Sequence, residues 1–305
     1  MPPRTDSPPD LPELPDTAPR HPSWEAGCRA LARPAWPLCR LVLLLYLTGP
    51  FDRVGDVVAA LPDPVETDGP VYEDPGRILA PYLSILEAAR MLKDPAAGKA
   101  AAPVVREDGS PVDALEGSIA RIQQQVLEAE LEDINARLCA PCACTLCCVG
   151  PGPAAVHDFF EIPLSEDELD RFDLPRVDTP ASRAADPYED PELVVDGRPF
   201  HRHPPAIYRW RHGWGLVLGR GARCPHLAPA GRCAVYPDRP DTCRRPQIFP
   251  VVLEPADPGR PGTRQVLRET LLAVLDCPYV RRLQDEIAAY GAACGLRVVF
   301  RRNKA

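Results

Sequence analysis

Cys139-Ala-Pro-Cys142-Ala-Cys144-Thr-Leu-Cys147-Cys148 (CAPCACTLCC, residues 139–148) puts five cysteines into ten residues. Cys144-x2-Cys147 is a spacing at which one tight turn aims two sulfurs at one metal. Thiolates are soft ligands, and they favour zinc or iron–sulfur clusters over calcium or magnesium. Cys148 adds an immediate neighbour. Adjacent side chains point apart, so Cys147 and Cys148 serve different metals or opposite sides of one cluster. Four more cysteines follow at wide intervals: Cys224, Cys233, Cys243 and Cys277. These nine are the candidate metal ligands.

Working backward from Cys139, residues 112–138 read as the clearest helix in the chain. Leu115, Ile119, Ile122, Val126, Leu131, Ile134 and Leu138 recur on one stripe at spacings of three and four. The helix ends directly at Cys139 and so delivers the cysteine segment at a fixed place. Its stripe covers fewer than four heptads, which suits intrachain packing better than a coiled coil. Further upstream, 77–92 and 38–47 read as helices, the latter closed by Gly49-Pro50. Residues 1–22 hold eight prolines and little apolar periodicity, and read as a disordered tail. Residues 23–111 then form a helical N-terminal region and linker, and 112–305 the cysteine-bearing domain.

Working forward, 157–164 reads as a strand. Ser165-Glu166-Asp167-Glu168 is a capping-box pattern that opens a short helix. Residues 193–200, 207–210 and 215–218 read as short strands, the last two around a turn at Gly213. A helix before Cys277, another over 279–293 and a strand over 296–301 close the chain. The class expected is α+β: an irregular, cysteine-wrapped domain with short antiparallel strands, preceded by a mainly helical region.

Charge is uneven. Residues 157–196 carry 13 acids and three arginines; residues 198–245 carry ten arginines and two acids. The lobes compensate each other, or the arginines balance thiolate charge, or they receive an anionic partner. The whole chain has a formal charge of −8, which argues against a general affinity for nucleic acid or anionic membrane. No run of apolar residues reaches the roughly 20 needed to cross a bilayer, and the N-terminus has neither the basic nor the apolar part of a signal peptide. A cytoplasmic protein with reduced thiols is the expectation, because neighbouring cysteines suit a metal better than a disulfide framework.

The later cysteines lie in Cys224-Pro-His-Leu227 and in Cys233-Ala-Val-Tyr236-Pro-Asp-Arg239-Pro240-Asp-Thr-Cys243-Arg244. With these residues the chain resembles the CxxCxxCC cysteine-cluster family, described as zinc- or iron-chelating and iron–sulfur oxidoreductase-like. Cys224, Leu227, Cys233, Tyr236, Arg239, Pro240, Cys243 and Arg244 match its later segment, and Cys277 its final cysteine. The resemblance covers roughly residues 139–280. The first wall departs from the family pattern, reading CxxCxCxxCC, so either Cys139 or Cys142 is a spare thiol. Cys28, Cys39 and Cys294 lie outside the pattern and read as buried free thiols.

Arg239-Pro240 sets a turn before Cys243, and the amides after it are expected to point towards sulfur. Tyr236 is expected to pack beneath the loop, while Arg239 or Arg244 holds a carboxylate or balances thiolates. His226 reads as structural or as an extra ligand; His201, His203 and His212 form no convincing set. The ligand spacing of eight, nine and 33 intervening residues suits a wrapped 4Fe–4S cluster better than two compact zinc knuckles, with zinc the alternative. The expected role is redox, sensing or accessory, with an unidentified redox or protein partner; a structural zinc module is the second reading. Some relatives of the resembled family are attached to protein lysine methylation, so an enzyme is the third. Phosphate-loop, dinucleotide, metalloprotease and nucleophile-elbow motifs are all absent from the chain.

Overall fold

The computed structural model describes residues 13–67, 69–93, 102–142, 144–152, 155–229, 233–244, 247–256 and 264–302. The fold is α+β, with a helical N-terminal region. Most of the tail, residues 1–12, lies outside the described residues. Ala18–Arg20 forms a 3-10 turn, and helix α1 (Pro22–Ala32) follows at once. Its N-terminus is capped by His21, whose Nδ1 accepts from the Ser23 amide, and Pro22 occupies a position where no amide is needed. Helix α2 (Trp36–Thr48) stops at Gly49. Neither helix is long and apolar enough to cross a membrane alone, nor is any other among the described residues; α1 and α2 pass only as a pair bent by 43°.

The helix expected over 77–92 is instead part of a string of short α and 3-10 turns that runs from Pro75 to Lys93. Pro81 sits inside the run, lacks an amide and clashes with the preceding turn, which breaks a continuous helix.

Helix α3 (Ala114–Cys139) is the axis of the molecule. Asp113 caps it by accepting from the Glu116 amide at 2.9 Å. Its 26 residues span about 39 Å at about 1.5 Å each. The stripe from Ile122 to Leu138 is buried within the chain, whereas Leu115 at its start is 47% exposed. The buried face also carries three polar side chains, Gln123, Glu130 and Asn135, each with partners. Gln123 donates to the Cys294 carbonyl, and Glu130 accepts from the Ala35 amide and the Tyr290 hydroxyl, each at 2.7 Å.

Two sheets flank the cysteines. The first has the order β1 (Phe159–Leu164), β4 (Gly213–Gly219), β3 (Ala206–Trp210), β2 (Arg176–Val177). Its pairs are antiparallel except β2 with β3. One face packs Phe159, Phe200, Tyr208 and Trp210; the other packs Ile162, Phe172, Ile207 and Leu216, and Cys224 and Cys243 lean on that side. The expected strand over 193–200 is a tight hairpin of two-residue strands, Val194–Val195 and Arg198–Pro199.

The second sheet joins β5 (Ile248–Pro255), β6 (Gln265–Val274) and β7 (Arg297–Arg301), with the two-residue strand Val104–Val105 also on β6. β6 stands where a helix was expected. Its register slips between Val251 and Leu253, so that Leu267 faces Leu253 while Thr270 faces Val251, and Glu269 has φ 46°. The bulge inserts a residue, so that buried Leu267, Thr270, Leu271 and Val274 recur at spacings of three and four, which imitates a helix. β6 runs parallel to β7 through the helical segments Pro278–Arg282 and α4 (Gln284–Ala293).

Side chains of α3 cover the free edge of β5. Gln124 accepts from the Val252 amide at 2.7 Å and donates to the Pro250 carbonyl. Asn135 donates to the Ile248 carbonyl at 2.7 Å and accepts from the Gln247 and Ile248 amides. An edge strand's backbone groups need such partners once buried. One hydrophobic core runs through α1, α2, α3, β5, β6 and α4, and it includes Cys142 and Cys277.

Candidate metal centre

The cysteine-rich segment leaves α3 through two 3-10 turns, Ala140–Cys142 and Leu146–Cys148. It then meets the later segment edge to edge. The Cys224 amide donates to the Cys148 carbonyl, and the Gly150 amide to the Ala222 carbonyl, each at 2.8 Å. A side chain at Gly150 would place its Cβ 1.9 Å from the Gly219 carbonyl oxygen, so only glycine allows this approach. Two backbone bonds thus pin the first cysteine wall to the second.

Seven of the nine candidates line one cavity of about 560 Å³: Cys139, Cys144, Cys147, Cys148, Cys224, Cys233 and Cys243. Ile162, Phe172 and Leu227 supply apolar wall. Exposed Thr17, Arg20, His21 and Pro22, carried by the start of α1, contribute a rim. Ser23 fastens that end by donating to the Arg137 carbonyl at 2.8 Å, and Gly27 lies against Leu138. Cys142 and Cys277 line a second, much smaller void of about 20 Å³ together with Cys139, Cys144 and Cys147. Cys147 and Cys148 have their sulfurs 3.7 Å apart. None of the twelve cysteines is in a disulfide. Among the described residues, no three His, Cys, Asp or Glu side chains gather closely enough to grip a single ion. The sulfurs surround spaces and do not converge on a point.

Burial dominates the electrostatics. It pushes the Cys139 thiol up to about 11, aided by the charge of Cys147. Cys142 and Cys243 rise to about 12 for the same reasons, burial first and neighbouring sulfurs next. Cys144, Cys224 and Cys277 also rise through burial. Cys147 rises well above the ordinary range through its contact with Cys148 and through burial. So many buried sulfurs cannot ionise together without a cation to offset them.

Arg239 is the buried cation at this place, 7% exposed. Its guanidinium lies 3.8 Å above the Tyr236 ring and donates to the Tyr236 and Cys243 carbonyls. Its charge favours the thiolates of Cys139, Cys147 and Cys243. Arg244 has the other role: it reaches Glu132 at 3.6 Å and donates to the Arg239 carbonyl. Tyr236 anchors the loop, its hydroxyl donating to the Ala136 carbonyl of α3 at 2.7 Å.

The amides after Pro240 do not serve sulfur. Asp241 donates to Glu168, and Cys243 and Arg244 donate to the Pro240 carbonyl. A helical turn at 241–244 takes them instead. The amides that do favour thiolates lie elsewhere: Leu146 onto Cys144 at 3.4 Å, His226 and Leu227 onto Cys224, Tyr279 and Val280 onto Cys277.

Glu168 and Arg171 hold this loop in place, a role that reading the capping box alone did not reveal. Glu168 completes the expected box with Ser165 and accepts from the Asp241 amide at 2.7 Å. Arg171 donates to the Asp238 and Arg239 carbonyls. His226 lines the large cavity and donates through Nε2 to the Arg171 carbonyl at 2.8 Å, against the ring of Phe172. The other histidines are elsewhere: His203 bonds the Val195 carbonyl, His212 lies 3.0 Å from Glu161, and His201 packs against Phe159 and Phe200. Cys39 and Cys294 are buried in the main core, and half-buried Cys28 packs on it. The acid and arginine lobes meet in pairs, Arg220 with Asp158 and Arg211 with Glu189, which is mutual compensation.

A third cavity, of about 340 Å³, adjoins the site and shares Cys147, Cys243 and Ile162 with it. Its other walls come from α3, β1, β5, β6 and β7, with Phe160, Phe249, Glu128, Val274 and Arg301 among them.

No family model, curated protein or solved structure matches the chain.

Proposed function

We propose that the chain is a metal-binding protein whose large cysteine cavity holds an iron–sulfur cluster of the 4Fe–4S type, in a redox, sensing or accessory role. One observation carries the reading: seven cysteines from both walls face a single space in which the only charged lining side chains, among the described residues, are Arg20 and Arg239. A thiolate-ligated cluster is anionic and bulky, and cationic walls with several sulfurs around a wide space suit it. A single zinc ion needs four ligands drawn to one point, which the large cavity does not offer. The residues therefore fit a cluster, with the alternative a structural zinc module.

Once bound, a cluster would supply one-electron redox chemistry. The chain's own contribution is distinct. Arg239 offsets thiolate charge, the amides of Leu146, His226 and Leu227 stabilise sulfur, and Ile162, Phe172 and Leu227 limit water. The twelve unpaired thiols fit a reducing compartment such as the cytoplasm.

The adjoining cavity favours a second reading, an enzyme whose small organic substrate sits against the Cys147–Cys243 wall. The test of the main reading is iron and acid-labile sulfide in protein purified without oxygen. Both are expected in wild type and both fall in Cys224→Ser and Cys243→Ser. Stoichiometric zinc with no sulfide would refute it.

A further inference from the structure

The cavity of about 340 Å³ beside the cysteine site opens between the two sheets, and its size is that of a small-molecule site. α3, which covers the free edge of β5, presents Glu128, Leu131 and Glu132 to it at helical spacing. β1 brings Phe160 from the first sheet, and β5 brings Phe249 from the second. Both rings are half-buried. Ile248, Pro250 and Val274 supply further apolar wall.

Among the described residues, three charged side chains line this cavity: Glu128, Glu132 and Arg301. Glu132 is matched by Arg244 at 3.6 Å. The other two are not matched. Glu128 accepts from the neutral side-chain amide of Gln124 at 3.0 Å, and Arg301 lies over the Phe249 ring, 5.2 Å from its centroid. Neither has an ion partner among the described residues, and they do not pair with each other. They stand on opposite sides of β5, Glu128 on the helix along its free edge and Arg301 on β7, beyond β6. Neighbouring strands are about 4.8 Å apart, so the two charges face the cleft from different ends. A ligand that fills the cleft strips water from both, and each then needs an opposite charge from that ligand.

We propose that this cavity binds a small zwitterion whose two charges lie at opposite ends of an aromatic or apolar body. A dipeptide has this form, as does an aromatic amino acid with its amine remote from its carboxylate. The carboxylate sits on Arg301, the ammonium on Glu128 and the body between Phe160 and Phe249. This rests on reading the cavity as a substrate site. A plain carboxylate would leave Glu128 dehydrated and unpaired, and a plain amine would do the same to Arg301. The guanidinium suits a carboxylate, which it holds with two parallel hydrogen bonds. Cys147, Cys243 and Ile162 border both this cavity and the large one, so the occupant packs against two sulfurs of the metal centre.

The test is isothermal titration calorimetry of the full chain, purified anaerobically with its metal, against three probes that share one ring. Para-aminomethylbenzoate carries both charges, para-methylbenzoate only the carboxylate and para-methylbenzylamine only the ammonium. The zwitterion is expected to bind about tenfold more tightly than either of the others. Arg301→Gln should weaken it about tenfold and leave para-methylbenzylamine unchanged; Glu128→Gln should weaken it as much and leave para-methylbenzoate unchanged. If a variant fails to fold, judged by circular dichroism, the ranking of the three probes on wild type still decides. Equal binding of all three, or tighter binding of a singly charged probe, overturns the zwitterion and leaves the cavity a substrate site. Absence of binding by all three overturns the proposal and counts against the substrate site as well. None of these outcomes depends on whether the metal is iron or zinc.

Discussion

Replacing Glu168 with alanine perturbs the loop that carries Cys243 without touching any cysteine. The carboxylate is 3% exposed. One oxygen accepts from the Ser165 amide at 2.9 Å; the other accepts from the Asp241 amide at 2.7 Å and faces Arg171 at 3.4 Å. A hydrogen bond to a charged group contributes about 1.5–3 kcal/mol, and a lost cap costs about 1 kcal/mol. Asp241 is exposed, so water recovers part of its amide's loss. A net destabilisation of about 3 kcal/mol follows, or about 6 °C in melting temperature for a chain of this size. Burial raises the Glu168 carboxyl, but the Ser165 and Asp241 amides outweigh it and leave the group below its ordinary value. A depressed carboxyl stabilises the fold above its unfolded value, ~4.3, and that contribution fades as pH falls through the folded value. Melting curves followed by circular dichroism should therefore show a gap between wild type and Glu168→Ala at pH 7 that narrows below about pH 4. Metal retained after gel filtration should fall in the variant at neutral pH. Equal melting at pH 7, or a gap that widens on acidification, would refute the reasoning.

Other outcomes follow from single contacts. Gly150→Ala drives a methyl into the Gly219 carbonyl and is expected to cost about 1–3 kcal/mol in urea denaturation, with loss of metal as the Cys148–Cys224 pairing opens. Tyr236→Phe removes the bond to the Ala136 carbonyl and the hydroxyl's contact with Cys139, and should cost about 1 kcal/mol in urea denaturation. Burial raises the Glu130 carboxyl to about 7, although the Tyr290 hydroxyl and the Ala35 amide pull it down. Its contribution is fully present below the unfolded value near ~4.3 and lost as pH rises through about 7. Glu130→Gln should accordingly remove on the order of 3 kcal/mol of pH dependence between those limits in denaturation series; an unchanged pH profile would contradict the assignment.

Local signals carried much of this fold. The long helix, the capping box at Ser165 and the hairpin over 206–219 all have a period or a cap that one stretch of sequence displays. The β5 strand was not legible: IFPVVLEP contains two prolines and no clear alternation, and its edge is satisfied by Gln124 and Asn135 from far upstream. The β6 strand was misread because the bulge at Glu269 gives it a helical spacing. At the site, residue types and spacing pointed to nine cysteines, but not to their division between two spaces. Nor could they separate Arg239, which faces sulfur, from Arg244, which holds Glu132. Those distinctions depend on how the loop is tied to Glu168, Arg171 and Ala136, contacts at sequence separations of about 70 to 100.

The claim that the large cysteine cavity carries a cluster meets its most direct test in the visible absorption spectrum of the anaerobically purified protein, recorded before and after chemical reduction. A brown protein with a broad sulfur-to-iron charge-transfer band that bleaches on reduction is the expected result. A colourless protein that holds its full complement of zinc, with no band to bleach, would contradict it.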